Sequence, residues 1–263
     1  MIKKIAEKIG GRPASQVLIA TLDLLGIRQL MFNATTQELG IIENEFALIF
    51  ATVVAQLNMS AEKIKGRLTC EQNKELIAIC NSIHYKFFGD TIIISCTLEN
   101  VSIDAKTHNS EWRYKTSIYF FLLAVKAATY NLMTRGFPVR GCIDTGAALI
   151  NAICVIGRPF VNSLNIAESL EFAGVVFTHE AIIVCREALT HEIVTPLELN
   201  VQTKKGWIRL PCLNWTVPGF FERIKDIGSY LRDQFCANGK LLSASALIKL
   251  KNTEQIVQEF SNC

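Results

Sequence analysis

The chain reads as an α+β protein on three observations. Short apolar runs rich in branched residues, such as VLIATLD from Val17 to Asp23, end at acids or glycines and predict buried strands. Two such runs, Ile83 to Phe88 and Thr91 to Ser95, are divided by Gly89-Asp90, a dipeptide suited to a tight hairpin. Longer stretches with helical apolar spacing stand between them, the clearest running from Glu111 to Arg135 with Gly136 and Pro138 as its stop.

Taken in order, the first strand ends on Asp23 and runs into a turn at Gly26. Phe46 to Leu57 is almost wholly apolar and follows Glu43 and Glu45, whose charge favours a helix start; a buried helix is expected. Ser15 and Ser60 precede helical patterns and read as caps or turn residues. The longest apolar run, Ile118 to Met133, is interrupted by Lys126, so it predicts a buried helix and not a membrane span. Val139 to Ile143 and Ala147 to Ile156 read as two strands about an Asp144-Thr145-Gly146 corner. Pro159 fits the first turn of a helix running to about Ala173 and ended by Gly174. Val175 to Phe177 is a further strand and His179 to Leu189 a helix. Trp207 and Trp215 flank Leu210-Pro211, a segment expected to pack the C-terminal region on the sheet, and Glu222 to Phe235 reads as one amphipathic helix with Ile224, Ile227 and Leu231 on one face. The boundaries expected are an N-terminal segment 1–16, a catalytic domain 17–190 and an extension 191–263 packed on the same domain.

At 263 residues, half of them apolar, a sizeable core is assured. The net charge of +3 comes from interspersed acids and bases with no basic stripe, so no nucleic-acid partner is expected. Nine cysteines without a CxxC pair or zinc spacing suit small core residues in a reducing compartment. The start MIKKIAEKIGGRPASQ is charged and has no apolar signal core, which predicts a cytoplasmic protein with no membrane attachment. His84, His108, His179 and His191 form no HxH or HExxH pattern and carry no proposed dyad.

The chemistry gathers on two acids. One aspartate at a strand end is usually a turn former or cap. Asp23 and Asp90 both stand at strand ends, and if those elements are neighbours their carboxylates converge at one sheet edge. Magnesium is typically held by one or two carboxylates together with substrate phosphates, so such a pair outlines a hard-cation site. Gly26 would let main-chain N–H groups approach the phosphates closely.

LDLLGIRQL, around Asp23, resembles the first-strand motif of class III nucleotidyl cyclases, and KFFGDTIII their second-and-third-strand hairpin with its GD turn. RGCIDTGAALI, Arg140 to Ile150, resembles the next strand of that fold, and VNSLNIAES, Val161 to Ser169, the helix after it. The resemblance covers roughly Val17 to Val184. It implies a ferredoxin-like βαββαβ core with a C-terminal α/β extension, dimerised head to tail with active sites at the interface. It implies two Mg²⁺ or Mn²⁺ ions per site, held by Asp23 and Asp90, with Leu24, Leu25 and Gly26 contacting phosphates through the backbone. Lys86 matches a base-contacting position, although a solvated strand-edge lysine reads equally well, and Asn162 matches the asparagine of the family's VNxAxR motif.

Two positions depart from that pattern. Ile166 stands where the family has its transition-state arginine, leaving Arg140 and Arg158 as candidate cations, and Val155 stands where an aspartate commonly reads adenine. Such departures resemble the uridylate and cytidylate cyclases of Pycsar antiphage defence. The reading is a homodimeric cyclase making a cyclic pyrimidine nucleotide, UTP slightly favoured over CTP, whose product a separate effector reads. The alternatives are a purine cyclase making cyclic AMP or GMP and a catalytically silent nucleotide-binding domain.

Overall fold

Strand β1 (Ser15–Leu24) is the axis of the molecule, and Val17 to Leu22 along it are all at most 1% exposed. It is buried on both faces, which is why its sequence is apolar without alternation. The computed structural model describes residues 15–98, 108–150, 154–186, 196–217, 219–224, 226–237 and 243–261. After β1 come α1 (Ile27–Asn33), α2 (Thr36–Lys65), α3 (Cys70–Asn81), β2 (Ile83–Phe88), β3 (Thr91–Thr97), α4 (His108–Thr134) and β4 (Val139–Ile150). Then follow β5 (Val155–Gly157), α5 (Arg158–Ser169), β6 (Gly174–Phe177), α6 (His179–Arg186), β7 (Pro196–Thr203), β8 (Gly206–Leu213), α7 (Phe220–Arg223), α8 (Ile227–Cys236) and α9 (Ala244–Ser261).

The sheet runs β2-β3-β1-β4-β6-β8-β7, with β5 paired to β4. Strands β1 to β4 pair antiparallel with one another, and with helices between β1 and β2 and between β3 and β4 they form the expected ferredoxin-like βαββαβ unit. Strand β6 adds parallel to β4, placing Gly174 opposite Arg140, and the β7-β8 hairpin continues the sheet through Val176 opposite Cys212.

Leu18, Ala20, Leu22 and Leu24 point into the larger core, shared with Phe120, Phe121 and Leu122 of α4. Val17 and Ile19 point the other way, into a small core with Ile93, Ala148 and Val155 that Phe160 of α5 covers. Gly141 lets β4 come this close to β1: a Cβ there would lie 2.6 Å from Leu22 Cδ2 and 2.7 Å from the Thr21 carbonyl oxygen. The apolar run of α4 is buried as expected, and no described helix is long and apolar enough to cross a membrane.

Several local expectations are corrected. The helix expected over Phe46 to Leu57 is α2, longer at both ends, because Thr35 and Glu38 form a capping box upstream. Ser60 therefore lies inside a helix, and Ser15 opens a strand. No corner breaks β4 at Asp144, since the strand holds its register with β1 from Val139 to Ala148. Helix α5 ends at Ser169, short of Ala173, and Gly174 begins β6 with φ 158°. A Cβ on Gly174 would lie 2.6 Å from the Phe172 ring. The single helix expected over Glu222 to Phe235 is two, because Asp226 caps α8 through Ser229. Trp215 is fully buried beside Phe220, whereas Trp207 is 58% exposed. Residues 1–14 of the expected N-terminal segment 1–16, the middle of the Ala147 to Ile156 strand at 151–153, the helix end at 187–189 and His191 lie outside the described residues.

Candidate active site

The β1 register places Asp23 opposite Thr91 on one side and Arg140 on the other. Asp90 immediately precedes Thr91, and its carbonyl accepts from the Leu24 N–H at 2.9 Å. The two acids that sequence singled out therefore share one corner, held by backbone pairing. The turn between β2 and β3 is made by Gly89 at φ 60°, a conformation costly for other residues.

Each carboxylate faces a guanidinium. Arg140 Nε lies 2.7 Å from Asp23 Oδ2, with both side chains 13% exposed. Arg28 Nη2 lies 2.9 Å from Asp90 Oδ2 and 3.3 Å from Oδ1. The Asp90 hydrogen bond and then the Asp90 charge raise the Arg28 pKa; desolvation opposes them, and the charges of Asp23 and Glu168 add smaller contributions in the raising direction. Arg28 was not singled out in the sequence; its position in the first turn after Gly26, five residues past Asp23, was the available signal.

The donor set is oxygen only. Among the described residues no three His, Cys, Asp or Glu side chains gather at one point, so the chain offers a cation two carboxylates and leaves its other positions to water or substrate oxygens. That fits a hard divalent ion on a phosphorylated substrate and does not fit a closed structural metal site.

Of the other expected residues, Leu24, Leu25, Gly26 and Arg140 adjoin the acid corner and Arg158 stands away from it. Leu24 and Leu25 donate their N–H groups to the carbonyls of Asp90 and Pro138, at 2.9 and 2.8 Å, so both amides serve the fold. Gly26, at φ 75°, is exposed. Lys86 Nζ lies 3.3 Å from the Cys154 carbonyl oxygen and is half-buried. Arg140 also donates from Nη1 to the carbonyls of Glu168 at 2.7 Å and Leu170 at 3.1 Å, tying the end of α5 to the acid corner.

Arg158 follows Gly157, which pairs with Ala148 at the opposite end of β4. Eight residues of extended strand separate Arg140 from Ala148, roughly 26 Å at about 3.3 Å per residue. Arg158 is 82% exposed there and lies 3.4 Å from Glu180. Asn162 Nδ2 donates to Asp144 Oδ2 at 2.9 Å. Asp144 is 3% exposed and accepts also from Thr178 Oγ1 at 2.6 Å and the Thr145 N–H at 2.8 Å. Three donors satisfy this buried carboxylate and fix the Asn162 amide. Asp144 and Thr178 were missed because an acid before Thr-Gly reads as a turn. Ile166 packs against the larger core.

No protein-family model and no curated protein matches the chain. Among solved structures, the adenylyl cyclase CyaB from P. aeruginosa is 12% identical, over 78% of this chain and 96% of that one, at TM-score 0.40. A guanylyl cyclase is 12% identical over 77% and 93%, at TM-score 0.38. An adenylate cyclase from Trypanosoma brucei is 15% identical over 80% and 93%, at TM-score 0.33.

Proposed function

We propose that the chain is a metal-dependent nucleotidyl cyclase that converts a pyrimidine nucleoside triphosphate, UTP slightly favoured over CTP, to the 3′,5′-cyclic monophosphate and pyrophosphate. The observation that carries the reading is the convergence of Asp23 and Asp90 on one corner, with Asp23 opposite Thr91 and the Leu24 amide on the Asp90 carbonyl. In the reaction the ribose 3′-oxygen forms a bond to the α-phosphorus, the bond from that phosphorus to the β-bridging oxygen breaks, and the 3′-hydroxyl proton is released. Asp23 and Asp90 would hold Mg²⁺ or Mn²⁺, which when bound neutralises phosphate charge and acidifies the 3′-hydroxyl. The chain itself contributes position and charge, the main requirements of phosphoryl transfer.

Within one protomer Asn162 and Arg158 stand away from the acids. A homodimer arranged head to tail would bring the start of α5 of one copy to the acid corner of the other. Exposed Ile156 and Val161 beside this helix start are apolar surface for such a contact. Val155 sits in the small apolar core with Val17 and Ile19, which supports a site without the aspartate adenine reader. The cellular role in this reading is antiphage defence in the cytoplasm, with a cyclic pyrimidine nucleotide as messenger to a separate effector.

Incubating the purified protein with each of the four triphosphates and Mg²⁺ or Mn²⁺ tests the proposal. Cyclic UMP or CMP supports it, cyclic AMP or GMP moves it to the purine branch, and no cyclic product from a folded dimer refutes it. A catalytically silent nucleotide-binding domain is the second reading, favoured by the two ion pairs on the acids and by Ile166 in the core. Calorimetric binding of a triphosphate without turnover would identify it.

A further inference from the structure

Three arginines carry charge on or near the elements of the proposed site, and the structure separates their roles. Arg140 is 13% exposed and bound to Asp23, the Glu168 carbonyl and the Leu170 carbonyl. Moving it to a substrate would break three contacts. Arg158 stands at the other end of β4 and meets Glu180. Arg28 is 83% exposed, lies at the start of α1 beyond the Gly26 turn, and reaches Asp90 through Nη2 alone.

We propose that Arg28 is the cation that receives the substrate's triphosphate, and that its ion pair with Asp90 holds the guanidinium beside the site until a metal ion takes the carboxylate. This rests on the cyclase reading for its substrate class. The argument is one of charge and access. The Asp90 side chain is 17% exposed but its guanidinium partner stands in water, and an ion pair with one solvated partner is weak and exchanges readily. A divalent cation carries twice the charge of the single Arg28 guanidinium it would displace from Asp90, and at Asp23 the Arg140 guanidinium, which stays in place, takes Oδ2. Released from Asp90, a planar fork at the acid corner meets phosphate oxygens in the geometry that arginine binds best. The position also accounts for Ile166: with a cation supplied from α1, the α5 position is free to pack in the core, as Ile166 does.

The test uses titration calorimetry on the full chain with two probes that contain no base, Mn²⁺ alone and inorganic tripolyphosphate with Mn²⁺. Arg28→Ala should bind Mn²⁺ alone as tightly as the wild type or a few-fold tighter, because Asp90 loses a competitor, and should bind tripolyphosphate about tenfold or more weakly. Arg28→Lys should fall between. A loss confined to tripolyphosphate is not expected of a merely structural pair, whose loss would move the melting temperature and neither affinity selectively. Unchanged tripolyphosphate affinity in Arg28→Ala, or no tripolyphosphate binding by the wild type, overturns the proposal. The cyclase reading fails separately, by absence of cyclic product from the four triphosphates. If that happens while Arg28→Ala still loses tripolyphosphate, Arg28 stands as a polyphosphate-binding residue of a silent domain.

Discussion

Asp23→Ala and Asp90→Ala should both abolish metal-dependent turnover yet differ sharply in stability. Asp23 is paired at 2.7 Å with an Arg140 that is, like itself, only 13% exposed. Removing one partner of a largely buried pair leaves the other charge uncompensated and costs on the order of 3–5 kcal/mol. Arg140 keeps its bonds to the Glu168 and Leu170 carbonyls, which places Asp23→Ala near the lower end, about 3 kcal/mol. For a chain of this length that corresponds to a fall in Tm of roughly 6–12 °C. Asp90 faces an Arg28 that is 83% exposed, so its pair is screened by water and Asp90→Ala should melt within about 2 °C of the wild type. Differential scanning calorimetry of the two variants, beside a cyclic-nucleotide assay, measures both effects. Equal losses of Tm, or a destabilised Asp90→Ala beside an intact Asp23→Ala, would refute the assignment of Asp23 to a pair with a buried arginine and Asp90 to a pair with a solvated one.

Asp144→Ala should orphan the Asn162 amide, the Thr178 hydroxyl and the Thr145 N–H, at a cost of about 3 kcal/mol read from denaturant midpoints; a loss below 1 kcal/mol would show that the network is not held by this carboxylate. Gly141→Ala should cost roughly 1–3 kcal/mol, because its Cβ would meet the Thr21 carbonyl oxygen and Leu22 Cδ2 at 2.7 and 2.6 Å, and an unchanged melting temperature would exclude that clash. Burial pushes the thiols of Cys96 to about 11 and of Cys185 and Cys212 to about 12, with a Ser82 hydrogen bond partly opposing at Cys96 and the charge of Glu198 adding at Cys212. The folded state thus holds these protons more tightly than the unfolded chain, so their contribution is complete below about pH 8.5 and is lost as pH rises toward 12. Urea midpoints from pH 7 to 11 should fall over that window and fall less in Cys185→Ala; equal slopes in the two proteins would remove Cys185 from the account.

What was legible in the sequence followed from local rules. An acid ending an apolar strand and a Gly-Asp at a hairpin are period and turn signals, and they located Asp23, Asp90 and the strands that carry them. The limits of α2 and α5 were misplaced because the capping box at Thr35 and the Phe172 ring beside Gly174 act through side chains that apolar spacing does not weigh. The Asp144 corner was misread for a deeper reason. An acid before Thr-Gly prefers a turn when its carboxylate must find water, but here Thr178 and Asn162 supply the donors from other elements. Such satisfaction is tertiary and leaves no mark on the local pattern.

The same distinction explains the arginines. Arg28 and Asp90 are 62 residues apart, and Arg140 and Asp23 are 117 apart, so neither pair follows from helical or strand spacing. Once the register sets Asp23 opposite Arg140, the arginine nearest the acid in space is buried in bonds that tie α5 to β4. It is then a structural counter-charge. The arginine nearest in sequence to Asp23 lies past the Gly26 turn and keeps most of its surface in water. Strand pairing consumes one positive charge in stability and leaves the other beside the same two acids, where a triphosphate would bring the negative charge it can meet.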